Sequence, residues 1–97
     1  MTTLYDKVAF IGLGLIASSM IHAIRRDGLA GQISGSARSA ETRAIAREDG
    51  LCDMVCDTAA EAVEGADLVV LCVPIGAMGQ VAREIGPHLA PGATVTD

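Results

Sequence analysis

Residues Lys7–Ala17 read KVAFIGLGLIA and carry the most informative pattern in this chain. Its first five residues are an apolar run with β-branched and aromatic members, which is typical of a parallel strand buried on both faces. Gly12 ends the run, and a helical spacing of apolar residues starts just after it, at Leu15, Ile16, Met20 and Ile24. The stretch therefore predicts a buried strand, a glycine-containing turn and a helix in direct succession.

The turn has the spacing G-x-G-x-x-A, formed by Gly12, Gly14 and Ala17. In a strand–turn–helix unit the first glycine permits a tight turn, and the second lets phosphates approach the backbone. The small third residue lets the helix pack closely on the strand. Free N–H groups at the helix N-terminus, around Leu15 and Ile16, attract the phosphates. The pattern predicts a pyrophosphate-binding turn for a dinucleotide, and a turn that serves packing alone is the alternative.

Strands and helices alternate through the rest of the chain. Strands are predicted over residues 7–11, 32–36, 54–55, 67–73 and 93–97. Helices are predicted over residues 15–27, 40–49 and 77–85, with a short one between Thr58 and Gly65 that a Thr58–Glu61 capping box opens. Such alternation with short connections predicts an α/β fold, a Rossmann-type doubly wound parallel sheet with strand order 3-2-1-4-5. Because no covering helix follows the fifth strand, we expect the chain to be the N-terminal part of a longer protein.

Composition and charge limit the possible partners. The chain has 97 residues, 51% of them hydrophobic but only 2% aromatic, which predicts one small domain with an aliphatic core. Its formal charge of −5 disfavours nucleic-acid binding. Five arginines nevertheless fall within residues 25–47. This basic stretch favours a small anionic ligand, although solvated helix faces would explain it equally well.

No metal site, disulfide framework or membrane segment is predicted. The cysteines, Cys52, Cys56 and Cys72, are odd in number and lack a second pair or a nearby histidine. The N-terminus does not have the pattern of a signal peptide, and no run of about 18 apolar residues occurs. We therefore expect a cytoplasmic protein with no membrane partner.

The end of the second strand bears on the choice of nucleotide. Sites for NAD usually place an acidic residue there to bind the adenine ribose hydroxyls. Here the strand ends at Ser36, Arg38 and Ser39 follow it, and residues 35–39 contain no acid. The hydroxyls can donate hydrogen bonds, and a guanidinium can pair with a phosphate. The sequence thus predicts NADP(H) rather than NAD(H), unless Arg38 only stacks on the adenine, which would suit either cofactor.

The end of the fourth strand lies at the switch point of the predicted sheet, where ligands bind. We expect Cys72, Val73 and Pro74 to border the inner part of the cofactor, with Cys72 as a packing residue rather than a nucleophile. The histidines, His22 and His88, are expected on the surface, and Met20, Met54 and Met78 in the core.

Three segments together resemble the prephenate/arogenate (cyclohexadienyl) dehydrogenases of tyrosine biosynthesis. They are VAFIGLGLIASSM (8–20), GSARSAET (35–42) and ADLVVLCVPIGAM (66–78), and GATVTD (92–97) extends the likeness. The resemblance implies that Gly12, Gly14, Ile16 and Ala17 cradle the pyrophosphate. Many members carry Gly at position 17 and Asp at position 37, where this chain has alanine. The second departure also favours NADP(H).

The resemblance further implies an oxidative decarboxylation of prephenate or arogenate, in which a ring hydrogen leaves as hydride to the nicotinamide. It implies a C-terminal helical domain that forms a homodimer and supplies the catalytic histidine and the substrate-binding arginine. Both residues would lie beyond residue 97, so we expect no catalytic residue here, weak nucleotide binding and no turnover by this chain alone. The alternatives are another reductase, of the β-hydroxyacid or pyrroline-carboxylate type, and a non-catalytic nucleotide-sensing domain.

Overall fold

The computed structural model of the chain describes residues 3–97, and within them strands and helices alternate as expected. The strands are β1 (Tyr5–Ile11), β2 (Ala30–Ser36), β3 (Met54–Cys56), β4 (Leu68–Leu71) and β5 (Thr94–Thr96). The helices are α1 (Leu15–Asp27), α2 (Ala40–Asp49), α3 (Ala59–Val63) and α4 (Ile75–Ile85), and a 3-10 turn follows α4 at Gly86–His88. All strand pairs are parallel, and the order is β3-β2-β1-β4-β5. The predicted doubly wound sheet is confirmed.

The central strand β1 supplies the middle of the core on both faces of the sheet. Val8 and Phe10 belong to the cluster that packs under α1 and α2, whereas Ala9 belongs to the cluster under α3 and α4. All three are fully buried. Successive side chains of a strand point to opposite faces, so a strand covered by helices on both faces must be apolar at every position. This requirement explains the unbroken apolar run in the sequence.

Helix α1 buries a different face from the predicted one. Ala17 and Ile21 are fully buried, while Ile16 is 74% exposed and Met20 is 37% exposed. Neighbouring residues of a helix point about 100° apart, so Ala17 and Ile21 lie on a face turned by about 100° from that of Ile16 and Met20. The small Ala17 brings α1 close to the sheet, and Ile21 one turn later then fills the space beneath it. Met54 is also exposed, so the prediction that these methionines fill the core is wrong for Met20 and Met54.

Several predicted boundaries move by one or two residues. The strand predicted to end at residue 73 ends at Leu71, because the chain turns out of the sheet after Cys72. Helix α4 then begins at Ile75, two residues early, with Pro74 as its N-cap in an extended conformation. Strands β1 and β2 begin two residues earlier than expected. The first turn of α4 therefore lies directly above the end of β4.

Short-range capping defines the helices as the sequence predicts. The Ser39 hydroxyl accepts a hydrogen bond from the Thr42 N–H at 3.3 Å at the start of α2. At α3 the Thr58 hydroxyl accepts from the Glu61 N–H at 3.2 Å and donates to the Glu61 carboxylate at 2.9 Å. Such side-chain caps satisfy N–H groups that have no partner within the helix. Among residues 3–97 no helix is both long enough and apolar enough to cross a membrane.

Candidate functional site

A cleft of about 500 Å³ opens at the carboxyl ends of the central strands, between the β1–α1 turn and α4. Parallel strands deliver their carboxyl ends to the same edge of a sheet, and ligands of open α/β folds bind where the strand order reverses. In this sheet the reversal lies between β1 and β4. The cleft therefore occupies the place at which this topology offers a ligand site.

Gly12 forms the floor of the turn and tolerates no side chain. Its φ is +100°, and a Cβ on it would lie 2.3 Å from the carbonyl oxygen of Cys72. The Gly12 N–H donates to the carbonyl oxygen of Ser36 at 2.8 Å, so the turn is tied to the end of β2. The backbone of β1 thus meets those at the ends of β2 and β4 at this glycine.

Gly14 has a different role from Gly12. It is the N-cap of α1 with an ordinary negative φ of −81°, and a Cβ added there would meet nothing within 4 Å. No side chain caps the helix at this end. The first N–H groups of α1 therefore have no partner from the cap residue, and their partial positive charge faces the approach to the cleft. A phosphate can reach the backbone here because position 14 has no side chain.

Most of the predicted site residues line this cleft. They are Gly12, Gly14, Ser36, Arg38, Ser39, Cys72, Val73 and Pro74. The other three do not line it, since the side chains of Leu15 and Ile16 point to solvent, 86% and 74% exposed, and Ala17 is buried against the sheet. Leu15 and Ile16 therefore have only their backbone N–H groups to offer a phosphate. The cleft brings together residues from the ends of three strands.

Other residues line the same cleft without having been predicted from the sequence. Helix α4 contributes one face, consisting of Ala77, Gln80, Val81 and Glu84, and α2 contributes Thr42 and Arg43. Asp57, directly after β3, completes the side near the end of β2. The helical spacing of the α4 set and the position of Asp57 after a parallel strand are signals that sequence reasoning could have used. Arg43 has no such signal, because its location depends on how α2 packs.

Charged groups concentrate at the end of the cleft beside β2. Arg47 Nη2 donates to Asp57 Oδ1 at 2.8 Å, and Arg43 Nε lies 3.6 Å from the same oxygen. The hydrogen bond from Arg47, together with the charges of both guanidiniums, lowers the pKa of Asp57. Asp57 is therefore ionised at neutral pH and paired with two cations, while Arg38 at the same end is exposed.

The cysteine at the inner end of the cleft is not activated. Burial raises the pKa of the Cys72 thiol, so the thiol is protonated at neutral pH. Neither histidine lines the cleft, and both are exposed, as the sequence predicts. In the part of the chain that the structure describes, no group of three or more His, Cys, Asp or Glu residues is placed to hold a metal ion. The cleft thus presents the uncapped N-terminus of α1 and two arginine side chains beside apolar walls.

Comparison with known proteins agrees with this geometry. Among curated proteins, the chain is 40% identical over 95 residues to cyclohexadienyl dehydrogenase of Zymomonas mobilis, covering 98% of this chain and 32% of that protein. It is 42% identical over 86 residues to pyrroline-5-carboxylate reductase of Pseudomonas aeruginosa, covering 88% of this chain and 31% of that protein. The chain thus spans about a third of the length of these relatives.

Two solved structures extend the likeness to three dimensions. The prephenate dehydrogenase of A. aeolicus in complex with hydroxyphenyl propionate and NAD+ superposes with a TM-score of 0.84 at 26% identity, covering 95% of this chain and 32% of that one. The arogenate dehydrogenase of Synechocystis superposes with a TM-score of 0.83 at 33% identity, covering 94% and 32%. Both likenesses extend over almost the whole of this chain.

A family model described as prephenate dehydrogenase, nucleotide-binding domain, matches residues 20–97. That match begins within α1, so the turn at Gly12 and Gly14 lies just before it, whereas the alignments to the relatives cover nearly the whole chain. The resemblance predicted from the sequence is confirmed. The chain belongs to the family of prephenate dehydrogenase nucleotide-binding domains.

Proposed function

We propose that this chain is the nucleotide-binding domain of an NAD(P)-dependent dehydrogenase that oxidises prephenate or arogenate. The observation that carries the proposal is the glycine turn at the N-terminus of α1, which borders a cleft at the switch point of the sheet. The chain also belongs to a family of nucleotide-binding domains. The A. aeolicus relative is described in complex with NAD+, which supports a pyridine nucleotide here. When bound, the nicotinamide would accept a hydride from the substrate ring.

The residues of the cleft fit the parts of such a nucleotide. The pyrophosphate would lie over the turn at Gly12 and Gly14, where no side chain caps the first N–H groups of α1 and position 14 has no side chain to intrude. The adenosine would extend toward Arg38 and the hydroxyls that follow β2. The inner half of the nucleotide would lie against Val73 and Pro74, whose apolar surfaces exclude water from the reacting end.

We further propose that the nucleotide is NADP(H). Position 37, at the end of β2, carries alanine rather than an acid, and the exposed guanidinium of Arg38 follows it. The carboxylate that does reach this end of the cleft, Asp57, is ionised but paired with both Arg47 and Arg43, so the three groups together carry a net positive charge. A 2′-phosphate would therefore meet cations here, and Arg38 is the residue best placed to bind it.

The catalytic and dimer-forming parts belong to the proposal as well. The relatives are about three times as long as this chain, and none of the cleft residues has the chemistry of an activated acid, base or nucleophile. We place the catalytic histidine, the substrate-binding arginine and a homodimer interface in a helical C-terminal domain outside these residues. By itself, this chain would bind nucleotide and catalyse nothing.

A second candidate is a reductase of the pyrroline-carboxylate type, favoured by the 42% identity to the Pseudomonas aeruginosa protein. The two candidates share the cleft and differ in the substrate. To distinguish them, the product of the whole gene would be assayed for reduction of NADP+ and NAD+ with prephenate and with arogenate, and for oxidation of NADPH with pyrroline-5-carboxylate. Turnover of the last substrate alone would overturn the primary proposal.

The choice of nucleotide is tested on this chain by titration calorimetry with NADP+ and NAD+. Arg38→Ala should weaken NADP+ binding about tenfold or more, because a charge-assisted hydrogen bond is worth about 1.5–3 kcal/mol, and should leave NAD+ binding nearly unchanged. The matched control is Arg26→Ala, since Arg26 is exposed, is paired only with Asp27 and lies outside the cleft. Equal losses for both nucleotides would show that Arg38 does not read the 2′-phosphate.

A further inference from the structure

A second arginine lies at the same end of the cleft as Arg38. Arg43 comes from the first turn of α2 and lines the cleft, yet its side chain is only 17% exposed. A guanidinium loses much of its hydration when it is buried, so it must find partners within the protein. The identity of those partners shows what Arg43 does.

The partners of Arg43 are the backbone carbonyls of the loop that carries Arg38. Arg43 Nη1 donates to the carbonyl oxygen of Ala37 at 2.7 Å and to that of Arg38 at 3.0 Å. These two residues come directly before Ser39, the N-cap of α2. One nitrogen thus joins two successive peptide groups, and it fixes the backbone from which the Arg38 side chain extends.

The opposite edge of the guanidinium is held by charge. Arg43 Nε has no hydrogen-bond partner and is, among the described residues, the one buried side-chain nitrogen or oxygen in that condition. Its neighbour is Asp57 Oδ1 at 3.6 Å, which Arg47 Nη2 holds from the other side at 2.8 Å. Asp57 thereby links Arg43 to a second arginine of α2.

This arrangement is unfavourable for the helix considered alone. A cation that folds back toward the N-terminus of α2 opposes the helix dipole, and a buried N–H without an acceptor loses a hydrogen bond to water. Helix stability alone would favour an acidic or neutral residue at position 43. Because Arg43 is unfavourable for the helix in both respects, we look for its role in the loop and the cleft.

We propose that Arg43 is a positioning residue for nucleotide selectivity, which orients Arg38 toward the adenosine ribose and its 2′-phosphate by holding the carbonyls of Ala37 and Arg38. The proposal rests on the proposed function, in which Arg38 reads that phosphate. Arg43 acts through the loop backbone, so its effect should disappear when the Arg38 side chain is absent. That dependence separates positioning from direct contact with the phosphate.

The test is a double-mutant cycle on the 97-residue chain, with NADP+ and NAD+ affinities measured by titration calorimetry. The variants are Arg38→Ala, Arg43→Gln and the double variant, with Arg26→Gln as the matched control on an exposed arginine outside the cleft. Arg43→Gln should weaken NADP+ binding roughly fivefold and NAD+ binding less than about twofold, within the range of coupling between residues of one network. In the Arg38→Ala background it should have no further effect on the NADP+/NAD+ ratio.

The other possible outcomes of the cycle would contradict either the positioning role of Arg43 or the proposed function. Additive losses in the double variant would mean that Arg43 contacts the nucleotide directly. A lower unfolding temperature of Arg43→Gln with an unchanged ratio of NADP+ to NAD+ affinity would mean that Arg43 serves the fold alone. Either of these two results would contradict the positioning role. If Arg43→Gln does not fold, Arg43→Lys replaces it in the same cycle, because its shorter side chain keeps the charge but loses the reach to both carbonyls. Failure of Arg38→Ala to change the ratio would instead overturn the assignment of Arg38 to the 2′-phosphate, and binding of neither nucleotide by the wild-type chain would overturn the proposed nucleotide site.

Discussion

Replacing Gly12 by alanine should damage the fold through a single methyl group. The added Cβ would lie 2.3 Å from the carbonyl oxygen of Cys72 and 2.9 Å from its carbonyl carbon, both of them backbone atoms of the chain leaving β4. Neither can rotate away, so β1 and β4 must separate or the turn must move. The residue would also have to keep φ near +100°, which L side chains rarely adopt.

The free-energy costs of the positive φ and of the close contact add approximately. A non-glycine residue held at positive φ costs about 1–2 kcal/mol, and forcing an extra carbon into a packed site costs about 1–3 kcal/mol. Gly12→Ala should therefore lower the free energy of unfolding by about 2–5 kcal/mol. A small domain has roughly 5–15 kcal/mol in total, so the variant loses a large share of its stability.

The measurement is urea unfolding followed by far-ultraviolet circular dichroism. With a slope of about 1–3 kcal/mol per molar urea, the midpoint should fall by about 1 M or more. Gly14→Ala is the matched control, because its added Cβ meets nothing within 4 Å and its φ is already negative. A Gly12→Ala midpoint within experimental error of that control would show that the contact with Cys72 does not limit position 12.

Two further predictions address binding and pH dependence. Gly14→Val should abolish binding of both nucleotides, because its side chain would occupy the space where the pyrophosphate would lie. The same space is open in the free chain, so the free energy of unfolding should change by less than about 1 kcal/mol. Normal nucleotide affinity in calorimetry would contradict the assignment of the turn. Asp67 accepts hydrogen bonds from the N–H groups of Lys7 and Asp6 at 2.9 and 3.0 Å. Burial by itself would raise the pKa of Asp67, yet these bonds lower it below its ordinary value of 3.8. Because the folded-state pKa is the lower one, the stabilisation is complete above pH 3.8 and is lost as the pH falls through the lowered pKa. Asp67→Asn should thus cost roughly 0.5–1 kcal/mol at neutral pH and progressively less below pH 3.8, and a pH-independent difference in urea midpoint would rule this out.

The candidate site could be predicted where it depends on the ends of strands. The turn at Gly12 and the segments after β2 and β4 are each a short run of consecutive residues at the end of a strand. Parallel strands bring their carboxyl ends to one edge of the sheet, so these runs are expected to meet there. The remaining lining comes from helix faces and from Asp57. Which face of α4 or α2 borders the cleft depends on how each helix rotates against the sheet, and that rotation is decided by packing.

The alternation of strands and helices and the position of the glycine turn could be predicted from the sequence alone, and the strand order followed from that alternation with right-handed crossovers. These features follow from local periodicity and from the spacing of Gly12, Gly14 and Ala17, which act over a few residues. Only the tertiary structure decided that α1 buries Ile21 rather than Ile16, and that Arg43 meets the loop of Arg38. Side chains from separate elements meet where close packing of the sheet and helices brings them together, and one-dimensional spacing does not specify that geometry.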